Sequence, residues 1–260
     1  MAKKATKKRA PLRDEFADNA SSVVPFPAKR TRARKHVTGQ ESADERLPTS
    51  APLVCKNKAQ ENYKQKIESS TITFGIGPAG TGKSYVALKI AAQMLEDNQI
   101  ERIVVTRPAI GVEEDLGALP GTIEEKSHPW FQPMLEILEE HFGRRHVEGK
   151  IHAKRIQFVP MSHLRGRTFN NSFILLDEAQ NTTPRQMKAL LTRIGRFSTL
   201  VVDGDIDQVD IKGRSGLRDA MNRLQNIKGI SVAMFEIKDI VRHELIKDIL
   251  QAYANYGTEE

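Results

Sequence analysis

The run Gly77-Pro78-Ala79-Gly80-Thr81-Gly82-Lys83-Ser84 constrains this chain more than any other feature. It satisfies the spacing G-x-x-x-x-G-K-[ST]. It stands between a β-branched run at residues 71–76, which reads as a strand, and a helical pattern from Lys83 to about Asp97. Glycine lets a short loop turn its N–H groups inward around anionic oxygens, and the helix start adds its dipole at the same point. The loop is therefore expected to grip the phosphates of a nucleotide. Lys83 would bridge the β and γ phosphates, the Ser84 hydroxyl would take a place on magnesium, and Tyr85 follows on the same helix as a further nucleotide-binding residue.

A second segment, Phe173-Ile174-Leu175-Leu176-Asp177-Glu178, supplies the complementary chemistry. Four apolar residues bury a strand, and two acids follow at its C-terminal end, where ligands collect in open α/β sheets. Asp177 is expected to hold magnesium and Glu178 to orient or deprotonate the attacking water. ATP and Mg2+ are the implied cofactors.

Strand and helix patterns alternate around these two segments. A helix through Gln60, Tyr63 and Ile67 precedes the first strand. Further strands are expected at residues 102–106, 156–159, 173–177, 200–203 and 231–236, with an amphipathic helix near residues 133–141, another from about Gly216 and a last one from about Val241. Thr183, Pro184 and Gln186 form a helix start with a capping box. Strands that are apolar on both faces and separated by helices predict an α/β fold: a mostly parallel sheet with helices on both faces.

The chain has 260 residues, 39% hydrophobic, which suits one domain at residues 51–260 preceded by a tail. Residues 1–50 hold twelve Lys and Arg against six acids, broken by prolines, and read as a disordered basic tail. The body keeps 28 bases and 27 acids, so the net charge of +7 describes an appendage and not a domain face. One cysteine, Cys55, allows no internal disulfide, and no apolar stretch spans a bilayer or resembles a secretory signal. A soluble, cytoplasmic protein without a membrane is expected.

The residues taken together resemble the PhoH-like ATPases from about Lys56 to the C-terminus. The likeness runs through Gly75-Ile76 and the phosphate loop, Thr106-Arg107-Pro108-Ala109, Leu119-Pro120-Gly121, Arg165-Gly166-Arg167-Thr168, Asp177 to Pro184, Thr192-Arg193-Ile194-Gly195, Gly204-Asp205 with Gln208, and Val241-Arg242-His243. The tail lies outside it. This resemblance implies a RecA-like P-loop fold akin to the first motor domain of superfamily-one helicases, ATPase activity, and action on RNA or single-stranded nucleic acid. It makes Gln60 similar to a glutamine that reads the adenine edge, and Gln180, Asp205 and Gln208 similar to motor elements that sense the γ-phosphate.

One RecA-like domain lacks the arginine that a second domain supplies, so a homo-oligomer, most simply a hexamer, is expected to complete each site in trans. Arg242 is the first candidate for that finger and Arg193 the second. Thr106, Arg107, Pro108 and residues 165–168 are expected to touch nucleic-acid phosphates. The alternative from another class is an ATP-gated switch or scaffold with slow turnover and protein partners; a small-molecule kinase is a third.

Overall fold

A parallel strand apolar on both faces has to be covered on both, and each crossover to its neighbour has to carry a helix. The computed structural model describes residues 52–108, 123–164, 166–242, 245, 246 and 249. In chain order the elements are α1 (Lys58–Ser69), β1 (Ile72–Ile76), α2 (Lys83–Glu96), β2 (Arg102–Thr106), α3 (Ile123–Phe142), α4 (Arg144–His152), β3 (Ile156–Phe158), β4 (Ser172–Leu176), α5 (Pro184–Leu191), β5 (Thr199–Gly204), α6 (Gly216–Leu224) and β6 (Ile230–Met234). Short 3-10 turns occur at Met161–Leu164, Ala179–Asn181 and Ile237–Asp239.

The six strands form one parallel sheet in the order β3-β2-β4-β5-β1-β6. The phosphate-loop strand β1 and the acid-bearing strand β4 are thus separated by β5, and the architecture is the RecA-like P-loop class. Side chains alternate between the faces, as the two-residue period of a strand requires. Ile103, Val105, Phe173, Leu175 and Val201 pack with α1 to α4, whereas Val104, Ile174, Leu176, Leu200 and Val202 pack with α5 and α6.

Most boundaries fall within a residue or two of the expected ones, and the differences have physical reasons. Helix α3 begins well before the expected residue 133 and continues through Pro129 and Pro133, because Phe131, Met134 and Leu138 bury against the core. Helix α4 was not anticipated: only Val147 is buried on it, so it has almost no apolar period. The capping box at α5 is present, with Gln186 N donating to Thr183 Oγ1 at 3.3 Å and Thr183 N donating to Gln186 Oε1 at 2.8 Å. The helix expected from Val241 begins later; Val241 and Arg242 are not helical, while 245, 246 and 249 are. The tail, Ala109, Leu119-Pro120-Gly121, Arg165 and His243 lie outside the described residues. Among the described residues no helix is long and apolar enough to cross a membrane.

Leu175 is fully buried in the middle of β4, so Leu175→Ala is expected to cost about 2–5 kcal/mol. Thr183→Ala, which removes a cap, is expected to cost about 1 kcal/mol. Urea denaturation of the two variants beside wild type checks the ranking.

Candidate functional site

The ends of β1, β4 and β5 converge on one cleft, lined among others by Gly80, Lys83, Arg107, Asp177, Glu178 and Gln208. Its floor is the loop of residues 77–82. Gly80 and Gly82 have φ of +82° and +81°, the left-handed region that lets successive N–H groups face inward at the start of α2. A side chain at either would also collide, since a Cβ on Gly82 would lie 2.6 Å from Gln60 Nε2 and one on Gly80 2.7 Å from Arg242 Nε. Thr81 Oγ1 braces the turn by donating to the Pro78 carbonyl at 3.0 Å.

Lys83 is buried, and its ammonium donates to the Gly77 and Pro78 carbonyls at 2.7 and 2.9 Å. Burial pushes its pKa down, against the pull of Asp203, Asp205, Asp177 and Glu178. Ser84 Oγ donates to Asp177 Oδ1 at 3.0 Å, joining the start of α2 to the end of β4. Magnesium takes hard oxygen donors, keeps several waters and usually shares phosphate oxygens, and this hydroxyl–carboxylate pair fits such an ion. Among the described residues no group of three or more His, Cys, Asp or Glu forms a closed protein cage for a metal.

Glu178 follows with φ +55° and ψ +39°, an uncommon conformation for a residue with a side chain and one that clusters at functional sites. Its orientation is fixed by Gln180, whose Nε2 donates to Glu178 Oε2 at 2.6 Å. Gln180 Oε1 in turn accepts from Asp205 N at 3.0 Å, so one amide joins the acidic pair to the Gly204-Asp205 turn. Gln208 lies on the cleft wall just beyond, exposed, with its N–H directed to the Asp205 carbonyl at 3.4 Å.

Three expected residues occupy places the sequence did not show. Gln60 is buried, and its amide is engaged inside the protein, donating to the Thr81 carbonyl at 2.9 Å and accepting from Lys56 N at 2.8 Å. Tyr85 lines the cleft, yet its hydroxyl donates to Glu140 at 2.9 Å, and burial together with that carboxylate pushes its pKa up to about 12. Arg242 lies against Gly80 of its own chain, held there because Val241 N donates to the Gly80 carbonyl at 2.9 Å and Asn57 Nδ2 to the Asp239 carbonyl at 3.0 Å. Arg193 stands apart from this cleft, its Nε donating to the Ala189 carbonyl at 3.2 Å.

The residues expected to meet nucleic acid are mostly engaged within the fold. Thr106 is fully buried. Arg107 donates from Nε to Asp177 Oδ2 at 2.7 Å, from Nη2 to the same oxygen and from Nη1 to the Trp130 carbonyl at 2.8 Å. Arg167 donates to Gln157 at 2.6 Å and stacks on the Phe169 ring. The pairing of Arg107 with Asp177 was missed, although both residues had been singled out for other roles; no local spacing relates positions 70 residues apart.

Behind the loop, Asp203 is fully buried at the end of β5 and accepts from the Tyr63 hydroxyl of α1, while its other oxygen has no partner. Burial raises its pKa to about 7, opposed by the Tyr63 hydrogen bond and by Lys83.

The family model described as PhoH-like protein matches residues 52–254. A PhoH-like protein of Mycobacterium tuberculosis (strain ATCC 25618 / H37Rv) is 41% identical over 246 residues, covering 92% of this chain and 70% of that protein. Protein PhoH of Escherichia coli (strain K12) is 38% identical over 209 residues, covering 79% of this chain and 59% of that one. The crystal structure of the UvsW helicase from bacteriophage T4 is similar with a TM-score of 0.43 at 12% identity, over 69% of this chain and 59% of the helicase.

A carboxyl whose pKa rises on folding contributes stability that is fully present below its ordinary value of 3.8 and is lost as pH rises toward about 7. Asp203→Asn, which cannot ionise, is therefore expected to gain on wild type between pH 4 and 7. Urea midpoints measured across that range should diverge; parallel profiles would show that Asp203 does not titrate there.

Proposed function

The chain belongs to the PhoH-like protein family, and from that premise we propose that it binds ATP with magnesium and hydrolyses it as a single-domain motor acting on RNA or DNA. The observation that carries this reading is the 3.0 Å contact of Ser84 with Asp177, beside the loop of residues 77–82 and Glu178. A protein that only held a nucleotide would need no second acid at that point.

In this reading the loop N–H groups and Lys83 hold the β and γ phosphates, the ammonium exchanging the Gly77 and Pro78 carbonyls for phosphate oxygens. Ser84 and Asp177 hold magnesium, which when bound screens the charge of the phosphates. Glu178, fixed by Gln180, orients and deprotonates the attacking water. Asp205 and Gln208 follow the γ-phosphate, because Gln180 already connects their turn to Glu178. Gln60 keeps the loop in place from α1 and offers its remaining N–H to the adenine edge.

Arg242 serves the nucleotide of its own chain from its position on Gly80. The assembly is a homo-oligomer, most simply a cytoplasmic hexamer, in which Arg193 is the candidate contributed to a neighbour's site. A second reading, an ATP-gated switch with protein partners, is favoured by the burial of Thr106 and the internal engagement of Arg107 and Arg167, although Gly166 and Thr168 are exposed.

Lys83→Ala is expected to lose nucleotide affinity, whereas Glu178→Gln should retain it while turnover falls by about 10²-fold or more. Nucleotide titration and phosphate release separate the two effects. Stimulation of wild-type turnover by RNA supports the motor; its absence, with turnover intact, supports the switch.

A further inference from the structure

The β2–β4 register pairs Thr106 with Leu176, and Asp177 N donates to the Thr106 carbonyl at 3.0 Å. The residue that follows each strand is therefore brought alongside the other: Arg107 after β2 and Asp177 after β4. Sheet geometry, not a chance rotamer, sets a guanidinium against the carboxylate assigned to the metal. Both Asp177 oxygens are thereby used differently. Oδ1 faces the Ser84 hydroxyl at 3.0 Å, and Oδ2 accepts from two nitrogens of Arg107, Nε at 2.7 Å and Nη2. A third nitrogen, Nη1, is anchored on the Trp130 carbonyl of α3, and Nη2 also lies 3.8 Å from Glu178 Oε1. One arginine thus spans the acidic pair and α3.

Resting on the magnesium-nucleotide reading above, we propose that Arg107 is a resident counter-ion of the metal site, which magnesium displaces from Asp177 and which the nucleotide's terminal phosphate then receives. A guanidinium stays charged at any ordinary pH, and a divalent cation on Asp177 repels it at contact distance. The free site therefore keeps its carboxylate oriented and paired, and it disfavours the metal alone. When metal and triphosphate arrive together, the phosphate supplies the anion that Arg107 gives up, and the fork of N–H donors suits phosphate as well as carboxylate. Metal binding and nucleotide binding become coupled through one side chain. Because Nη1 also holds α3, the exchange is felt at the Trp130 turn as well.

The test is metal affinity without nucleotide, read from Mn2+ by electron paramagnetic resonance on the full chain. Arg107→Gln is expected to bind Mn2+ about tenfold more tightly than wild type, and the gain in affinity for a non-hydrolysable ATP analogue on adding magnesium should shrink by a similar factor. Arg107→Lys keeps a cation and should stay near wild type, which controls for lost packing; circular dichroism verifies that each variant is folded. Unchanged Mn2+ affinity in a folded Arg107→Gln, or equal tightening in Arg107→Lys, overturns the proposal. If wild type itself binds no nucleotide with magnesium, it is the reading of the site that fails.

Discussion

Parallel register places the C-terminal ends of β1, β4 and β5 side by side at one edge of the sheet, and the chemistry of this chain depends on that placement. Each end carries a different part: the phosphate loop after β1, Asp177 and Glu178 after β4, Asp203 and Asp205 at the end of β5. A shift of one residue in any pairing would turn the apolar side chains to the wrong face, so burial of Phe173, Leu175 and Val201 on one side and Ile174, Leu176 and Val202 on the other fixes the register. The hydrophobic core in this way sets the distances between the charged groups at its edge.

Those charges are concentrated and need one another. Lys83 is buried among Asp177, Glu178, Asp203 and Asp205, and Arg107 lies between two carboxylates. Buried charge is tolerated where partners and hydrogen bonds are close, and here each cation has several anions while the loop carbonyls take the remaining N–H donors. Asp203 is the exception, with one oxygen lacking a partner, and burial raises its pKa to about 7. Tyr63 and Gln60, one turn apart on α1, tie that helix to Asp203 and to Thr81 respectively, so the element preceding the first strand is part of the site's frame.

The strap from β6 to Arg242 closes the other side of the loop. Phe235 N donates to the Ile76 carbonyl at 2.7 Å, the Phe235 ring lies 5.9 Å from the Lys83 ammonium, and Val241 N reaches the Gly80 carbonyl. Arg242, the first candidate for a finger in trans, lies against Gly80 of its own chain, next to the Val241 backbone hydrogen bond. The same distinction applies to Arg107, whose position after β2 suggested an outward contact and whose sheet neighbour drew it inward.

Local chemistry made much of this legible. The glycine spacing, the apolar run ending in two acids, and the capping box at Thr183 each involve residues within a few positions, where backbone sterics and hydrogen bonding act without help from the rest of the chain. Alternating patterns likewise determined an α/β fold with a doubly covered parallel sheet. Helix α4 escaped because it buries little, and α3 outran its prolines because packing against α2 outweighed them. What the tertiary structure alone decided is which distant residues meet: Arg107 with Asp177, Tyr63 with Asp203, Gln60 with Thr81, Gln180 with Asp205. Such pairs are set by strand order and register, which arise from burying the whole core at once, and no short stretch of sequence contains that sum.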